Sequence, residues 1–211
     1  MITLINDDFN FSNLLQGDFR KTYMKSLYTK QEYKPSEYKK EFDACMGETN
    51  LICDVSLLDY AKKNYKNTAC VIQDLQNIEI KNDFNGFNVA VYRGFTIDLF
   101  LHFLSKTKAK LVNFETQEFE NGIRYLELDE ELAYKKAAKI VLDAYDSGAD
   151  FLVVADGSSF KMFDILSNEL QRVSNRDFSD FYILHAAEFI SLAHGIIPAS
   201  LKNHKLKVSL V

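Results

Sequence analysis

At 211 residues, with 47% hydrophobic residues and 17 Phe, the chain can bury a sizeable core, and a folded rather than a disordered chain is expected. A formal net charge of −5 leaves no basic footprint for a general nucleic-acid or membrane-surface binder. No segment approaches the ~20 apolar residues of a membrane span, and the opening MITLINDDFNF lacks a basic region and a long apolar run, so a soluble cytoplasmic protein without a signal peptide is expected.

In chain order, Ile2–Ile5 reads as a short edge strand. Phe11–Tyr28 and Glu37–Cys45 read as helices, with Ser36 able to cap the second. The Lys-rich run Arg20–Lys40 is interleaved with Glu32 and Glu37 and reads as a solvated helical face. Leu51, Ile52, Val55, Leu58, Ala61 and Tyr65 fall at helical spacing and predict a helix over Asn50–Tyr65. Ala69–Leu75 is a candidate strand. The cluster Asn82, Asp83, Asn85 and Gly86 marks a boundary, dividing residues 1–86, mostly helical α+β, from residues 87–211.

Beyond the boundary the rhythm becomes β/α alternation. Strands are expected at Asn88–Tyr92, Ala109–Phe114, Phe151–Ala155 and Tyr182–Leu184. Helices are expected at Ile97–Ser105, Asp129–Ser147 (capped by Asp129 and ended by Gly148) and Ser158–Val173. The predicted class is α/β with a mainly parallel sheet, because strands separated by helices of this length need crossover connections. The tail His204–Val211 alternates partly and reads as an edge strand.

Three cysteines, Cys45, Cys53 and Cys70, match no zinc or iron–sulfur spacing and read as reduced, buried thiols. His102, His194 and His204 show no metal-site spacing, and His194 reads as a cation at a helix C-terminus. Ser158, Ser159, His185 and Asp156 bring a hydrolase to mind, but the turn lacks G-x-S-x-G. The same turn, Asp156-Gly157-Ser158-Ser159, reads as a helix cap, or as an anion site assisted by Arg93 and Arg124.

Four segments occur in a telling order: VAVYRGF at Val89–Phe95, FENGIR at Phe119–Arg124, VVADGSSF at Val153–Phe160, and ILHAAEFISLAHG at Ile183–Gly195. Together they resemble the C-terminal half of the heterodisulfide reductase HdrB proteins, a cysteine-rich (CCG-domain) family. In that family the corresponding cysteines hold an iron–sulfur cluster at which disulfide chemistry occurs. Here Phe95, Glu120, Asn121, Asp156 and Ser159 stand in those places, and Gly122 is retained. Cluster ligation needs thiolates, and no cysteine follows Cys70.

The resemblance implies a cluster-free, non-catalytic relative with no cofactor, meeting a protein partner in a redox complex as an accessory or interaction protein. It also implies that Phe95, Glu120, Asn121, Asp156 and Ser159, with His185 just beyond, surround one vestigial pocket, in which Phe95 fills part of the cluster's space. The alternative is an enzyme or a binder of a small molecule or hard cation that uses this oxygen-lined pocket. A third reading is a structural protein that forms a homodimer through its N-terminal helices.

Overall fold

The computed structural model describes residues 1–24, 39–94 and 98–206. The expected cap Ser36, residues 25–28 of the first expected helix, Phe95 and the tail 207–211 lie outside the described residues. The chain forms an α/β structure with two four-stranded parallel sheets. The first holds β1 (Ile2–Ile5), β2 (Phe19–Thr22), β3 (Thr49–Ile52) and β4 (Thr68–Cys70) in the order β2-β1-β3-β4. The second holds β5 (Asn88–Val91), β6 (Lys110–Val112), β7 (Phe151–Val154) and β8 (Tyr182–His185) in the order β6-β5-β7-β8. The two sheets thus share one permutation of strands.

The four strands expected between Asn88 and Leu184 are present and parallel, although β6 stops at Val112, short of Phe114. Between and after the strands lie α1 (Lys39–Cys45), α2 (Leu58–Asn64), α3 (Val71–Asp74), α4 (Asp98–Lys106) and α5 (Glu130–Asp146). They are followed by α6 (Gly157–Phe160), α7 (Ser167–Ser174) and α8 (Ala186–Ala193). Asp129 caps α5 as expected, its carboxylate accepting from the Leu132 amide at 3.0 Å. Gly148 follows the helix at φ 77°, a left-handed position that a side chain would strain. The expected helix over Ser158–Val173 is interrupted by a π-helical turn at Lys161–Ile165.

Several elements of the N-terminal part differ from their sequence reading. Ile2–Ile5 is an interior strand between β2 and β3, not an edge. The helix expected from Phe11 is a single 3₁₀ turn at Phe11–Asn13, and Gly17, at φ 122°, precedes strand β2. Arg20 and Lys21 therefore belong to a strand rather than to a helical face. Leu51 and Ile52 lie in β3, and only Leu58–Asn64 of the expected long helix is α-helical. A short strand buried on both faces gives a continuous apolar run, which periodicity cannot separate from a helix. The same ambiguity explains Ala69–Leu75, where β4 ends at Cys70 and α3 begins at once.

The second sheet separates two apolar clusters by the alternation of its side chains. Ala90, Leu152, Val154 and Ile183 face the buried side of α5 and Phe163 and Leu170. Val89, Val91, Phe151, Val153 and Leu184 face α4 and α8, and there they join Leu4, Ile5, Leu51, Ile52 and Ile72 of the first half in one continuous cluster. Phe84, from the segment between the sheets, stacks on Phe189 of α8 with ring centroids 4.3 Å apart.

Candidate functional site

The shared strand order places like residues at the C-terminal edges of both sheets, where ligands sit in open α/β folds. Strand β3 runs into Ile52-Cys53-Asp54-Val55-Ser56, and β7 into Val154-Ala155-Asp156-Gly157-Ser158. Each aspartate caps the helical turn that follows. Asp54 Oδ1 accepts from the Ser56 amide at 2.9 Å and the Ser56 hydroxyl at 2.6 Å. Asp156 Oδ1 accepts from the Ser159 amide at 2.8 Å and the Ser158 hydroxyl at 2.5 Å. The two turns also meet, because the Gly157 amide donates to Asp54 Oδ2 at 3.4 Å.

Both aspartates are buried. Burial, then the negative charge of Asp54, pushes the Asp156 carboxyl up to about 6, against the pull of its hydroxyl and amide donors. Nearby, Asp7 at the end of β1 is held by Lys21 at 3.0 Å. Burial, then the charge of Asp7, drives the Cys53 thiol well above its ordinary value, so it is an inert thiol rather than a nucleophile.

His185, the last residue of β8, faces the same junction. Its ring stacks on Phe9 of the first half at 3.7 Å and 6°. Its Nδ1 accepts from the Ala187 amide at 3.2 Å, which places the proton of the neutral ring on Nε2. Burial lowers its pKa to about 4, outweighing the opposing charges of Glu188 and Asp54. A hydrolase triad does not form: Ser158 donates to Asp156, Ser159 accepts from Asn121, and His185 Nδ1 is taken by α8.

Three of the residues expected around one pocket come together across wide sequence separation. Asn121 Nδ2 donates to Ser159 Oγ at 2.9 Å, and Asn121 Oδ1 accepts from the Ile123 amide at 3.0 Å. Asp156 joins them through the Ser159 amide. Asn121 and Ser159 are both buried. Glu120 stands at the rim, accepting from the Gly122 amide at 3.2 Å and lying 3.7 Å from Lys136 Nζ. It helps line a cavity of about 160 Å³ with Tyr92, Phe119 and Arg124. His185 stands beside Ala155, the neighbour of Asp156, and faces Asp54 and Phe9. The retained Gly122 has φ 88°, and a Cβ there would come within 2.5 Å of the Ala133 carbonyl oxygen. The loop is therefore pressed against α5 in a way only glycine allows.

This donor set does not fit an iron–sulfur cluster, which requires thiolates. The cysteines, all free and buried, lie in the first half. Among the described residues, no group of three or more His, Cys, Asp or Glu side chains is arranged to hold a metal ion, and no helix is long and apolar enough to cross a membrane.

One polar cluster escaped the sequence reading. The buried ring of His204 lies between two buried carboxylates, with Nε2 3.0 Å from Glu188 Oε1 in a hydrogen bond and Nδ1 facing Asp164 Oδ1 at 3.3 Å as an ion pair without hydrogen-bond geometry. Asp164 sits on the π-helical turn and also accepts from the Lys205 amide at 3.0 Å. Glu188 accepts from the Ser200 hydroxyl at 2.5 Å and the His185 amide at 2.9 Å. Burial opposes the charge on His204, but the two carboxylates prevail and hold its pKa up at about 9. Ahead of His204 lies a 3₁₀ turn (Ala199–Asn203); of the tail expected as an edge strand, His204–Val211, only 204–206 are described, and they form a loop pinned to Asp164 and Glu188. His194 closes α8 as expected, with Nδ1 2.8 Å from the Glu79 carbonyl.

A family model described as the HdrB-like C-terminal domain matches residues 123–205, so the C-terminal half resembles the HdrB component of heterodisulfide reductase. The match covers the third and fourth motifs. It begins within the second and leaves Val89–Phe95 outside. A crystal structure of a hypothetical protein from Helicobacter pylori superposes on all of this chain with a TM-score of 0.75 at 17% identity. The chain covers 53% of that protein, about half its length. Picrophilus torridus aspartate racemase aligns with 96% of each chain at 10% identity and a TM-score of 0.44. No curated protein matches.

Proposed function

We propose that this chain is a cluster-free, non-catalytic relative of the heterodisulfide reductase HdrB proteins that serves as an accessory or interaction protein, built from a part spanning residues 1–86 and a part spanning residues 87–211. One observation carries the reading. Asn121, Asp156 and Ser159, which stand where the resemblance calls for thiolates, are buried and bonded within one network. Hydrogen bonds there join loops that a cluster would otherwise have joined. The protein works in the cytoplasm without a cofactor. Its partner is a protein of a redox complex or a second copy of itself, not nucleic acid.

Anaerobic reconstitution with iron and sulfide tests the first part of this reading. The expected product is colourless, without stoichiometric iron or sulfide; visible absorbance with bound metal sinks it. Affinity purification from the native host tests the second part. Recovery with components of a redox enzyme supports the accessory role, and recovery of the chain alone as a monomer counts against it.

A second reading draws on the junction. An acid raised toward neutrality, a second buried carboxylate and a neutral imidazole are the equipment of general acid–base chemistry, and both halves contribute to the set. In this reading the chain binds a small polar molecule between its halves. Native mass spectrometry of freshly purified protein tests it: a retained small molecule that is lost in Asp54→Asn supports it, and a bare chain opposes it.

A further inference from the structure

After α8 the chain turns back over that helix's own first turn. Ser200 and His204 both reach Glu188, and the Lys205 and Leu206 amides reach Asp164. These polar attachments all fall on the second half. Toward the first half the same segment borders a cleft of about 170 Å³, lined by Phe9 and Asn13 on one side and Ile196, Pro198 and Ser200 on the other. Apolar anchorage is sparse. Leu206 is buried and Leu201 packs half-buried against the first apolar cluster, but Ile197 is 79% exposed, and Lys202, Asn203 and Lys205 are exposed. A segment with few buried apolar contacts opens at low cost unless something local fastens it.

The fastening is His204. Its ring lies edge-on to Phe160, which lies edge-on to Phe9, which stacks on His185. Glu188, the other neighbour of His204, bonds the His185 amide. Two routes therefore connect the clasp to the junction.

We infer that Ile196–Leu206 is a latched lid over the His185–Phe9 side of the junction, closed by His204 clasped between Asp164 and Glu188. Loss of the clasp opens the lid while both sheets stay folded. Asp164, from the π-helical turn, and Glu188, from α8, are the charged groups facing the imidazole. Lys202 and Lys205 lie on the lid itself and are exposed. His185 stands behind Glu188 as a neutral ring. Loss of the imidazole proton strips the clasp of its positive member and leaves two buried carboxylates facing each other, so alkaline pH releases the lid.

Trypsin reads the lid directly, because Lys202 and Lys205 lie on it. At neutral pH, His204→Gln is expected to be cut at these two sites at least about tenfold faster than the wild type. Cuts after the exposed Lys62 and Lys106 should keep their rates. In the opened variant, His185 should become reactive to diethyl pyrocarbonate, located by peptide mass spectrometry. The wild-type chain keeps the inference testable if the variant does not fold. Its lid cuts, normalised to a peptide substrate, should accelerate between about pH 8 and pH 10. Unchanged lid cleavage, equal acceleration at Lys62 and Lys106, or a cut lid with His185 still unreactive would each overturn the inference.

Discussion

Asp54 accepts a hydrogen bond from Gly157, the residue next to Asp156, and Asp156 is the aspartate in the same place at the end of the matching strand of the other sheet. Each of these carboxylates caps its own turn and lies in the field of the other. The arrangement satisfies local helix ends at the cost of placing two like charges together in a region that excludes water.

The Asp156 carboxyl, raised to about 6, binds its proton more tightly in the folded chain than in the unfolded one. Its contribution is therefore fully present below the ordinary aspartate value and is lost as pH rises through about 6. The difference corresponds to roughly 2–3 kcal/mol. Asp156→Asn keeps an oxygen acceptor without the charge, so it should flatten this part of the stability profile and leave the protein at least as stable at neutral pH. Urea titrations between about pH 4 and pH 8 check this, and an unchanged slope in the variant would refute it.

His204 behaves in the same sense through a different window. Its folded value of about 9 exceeds the ordinary histidine value, so its stabilisation is complete below about pH 6.5 and disappears as pH rises through 9. The expected loss is roughly 3 kcal/mol. Removing one partner from a buried charged set is more severe, and His204→Gln should cost about 3–5 kcal/mol at neutral pH. Denaturation midpoints of wild type and variant should converge at alkaline pH.

Asn121→Ala leaves the Ile123 amide and the Ser159 hydroxyl without their partner in a buried loop, which should cost about 1–3 kcal/mol. A cost within about 0.5 kcal/mol, as at an ordinary surface site, would mean that the network does not hold the loops together.

Gly122→Ala tests the close approach of that loop to α5. A methyl group would collide with the Ala133 carbonyl from a left-handed backbone position, so a loss of more than about 1 kcal/mol is expected. Thermal unfolding of the variant is the measurement. An unchanged midpoint would show that the loop yields.

In the core, Phe189→Ala should cost about 3–5 kcal/mol, since the ring is fully buried and stacked on Phe84. Phe119→Ala, at an exposed ring, serves as the mild control in the same denaturation series.

The second sheet was legible because its strands are β-branched apolar runs separated by long helices with clear signals, such as Asp129 and Gly148. The first sheet was obscured by its brevity: Leu51 and Ile52 continue into an apolar turn and mimic a helix. The convergence of Asn121, Asp156 and Ser159 could be read because the motifs resemble a known order. Asp54 was missed although its turn echoes that of Asp156. The clasp around His204 left no local signal, since Asp164, Glu188 and His204 share no sequence spacing and meet only through the fold.

The apolar cluster that joins Leu4 and Ile52 to Val153 and Leu184 bears on any attempt to handle the halves separately. A chain cut near Gly86 would leave one face of β5, β7 and β8 without its cover, and would strip the first sheet of the layer it leans on. Each fragment would present a broad greasy surface to water. Such pieces should be recovered as aggregates when expressed singly and as a reassembled complex when produced together, so that the connection at Gly86 marks a break in topology rather than in cohesion.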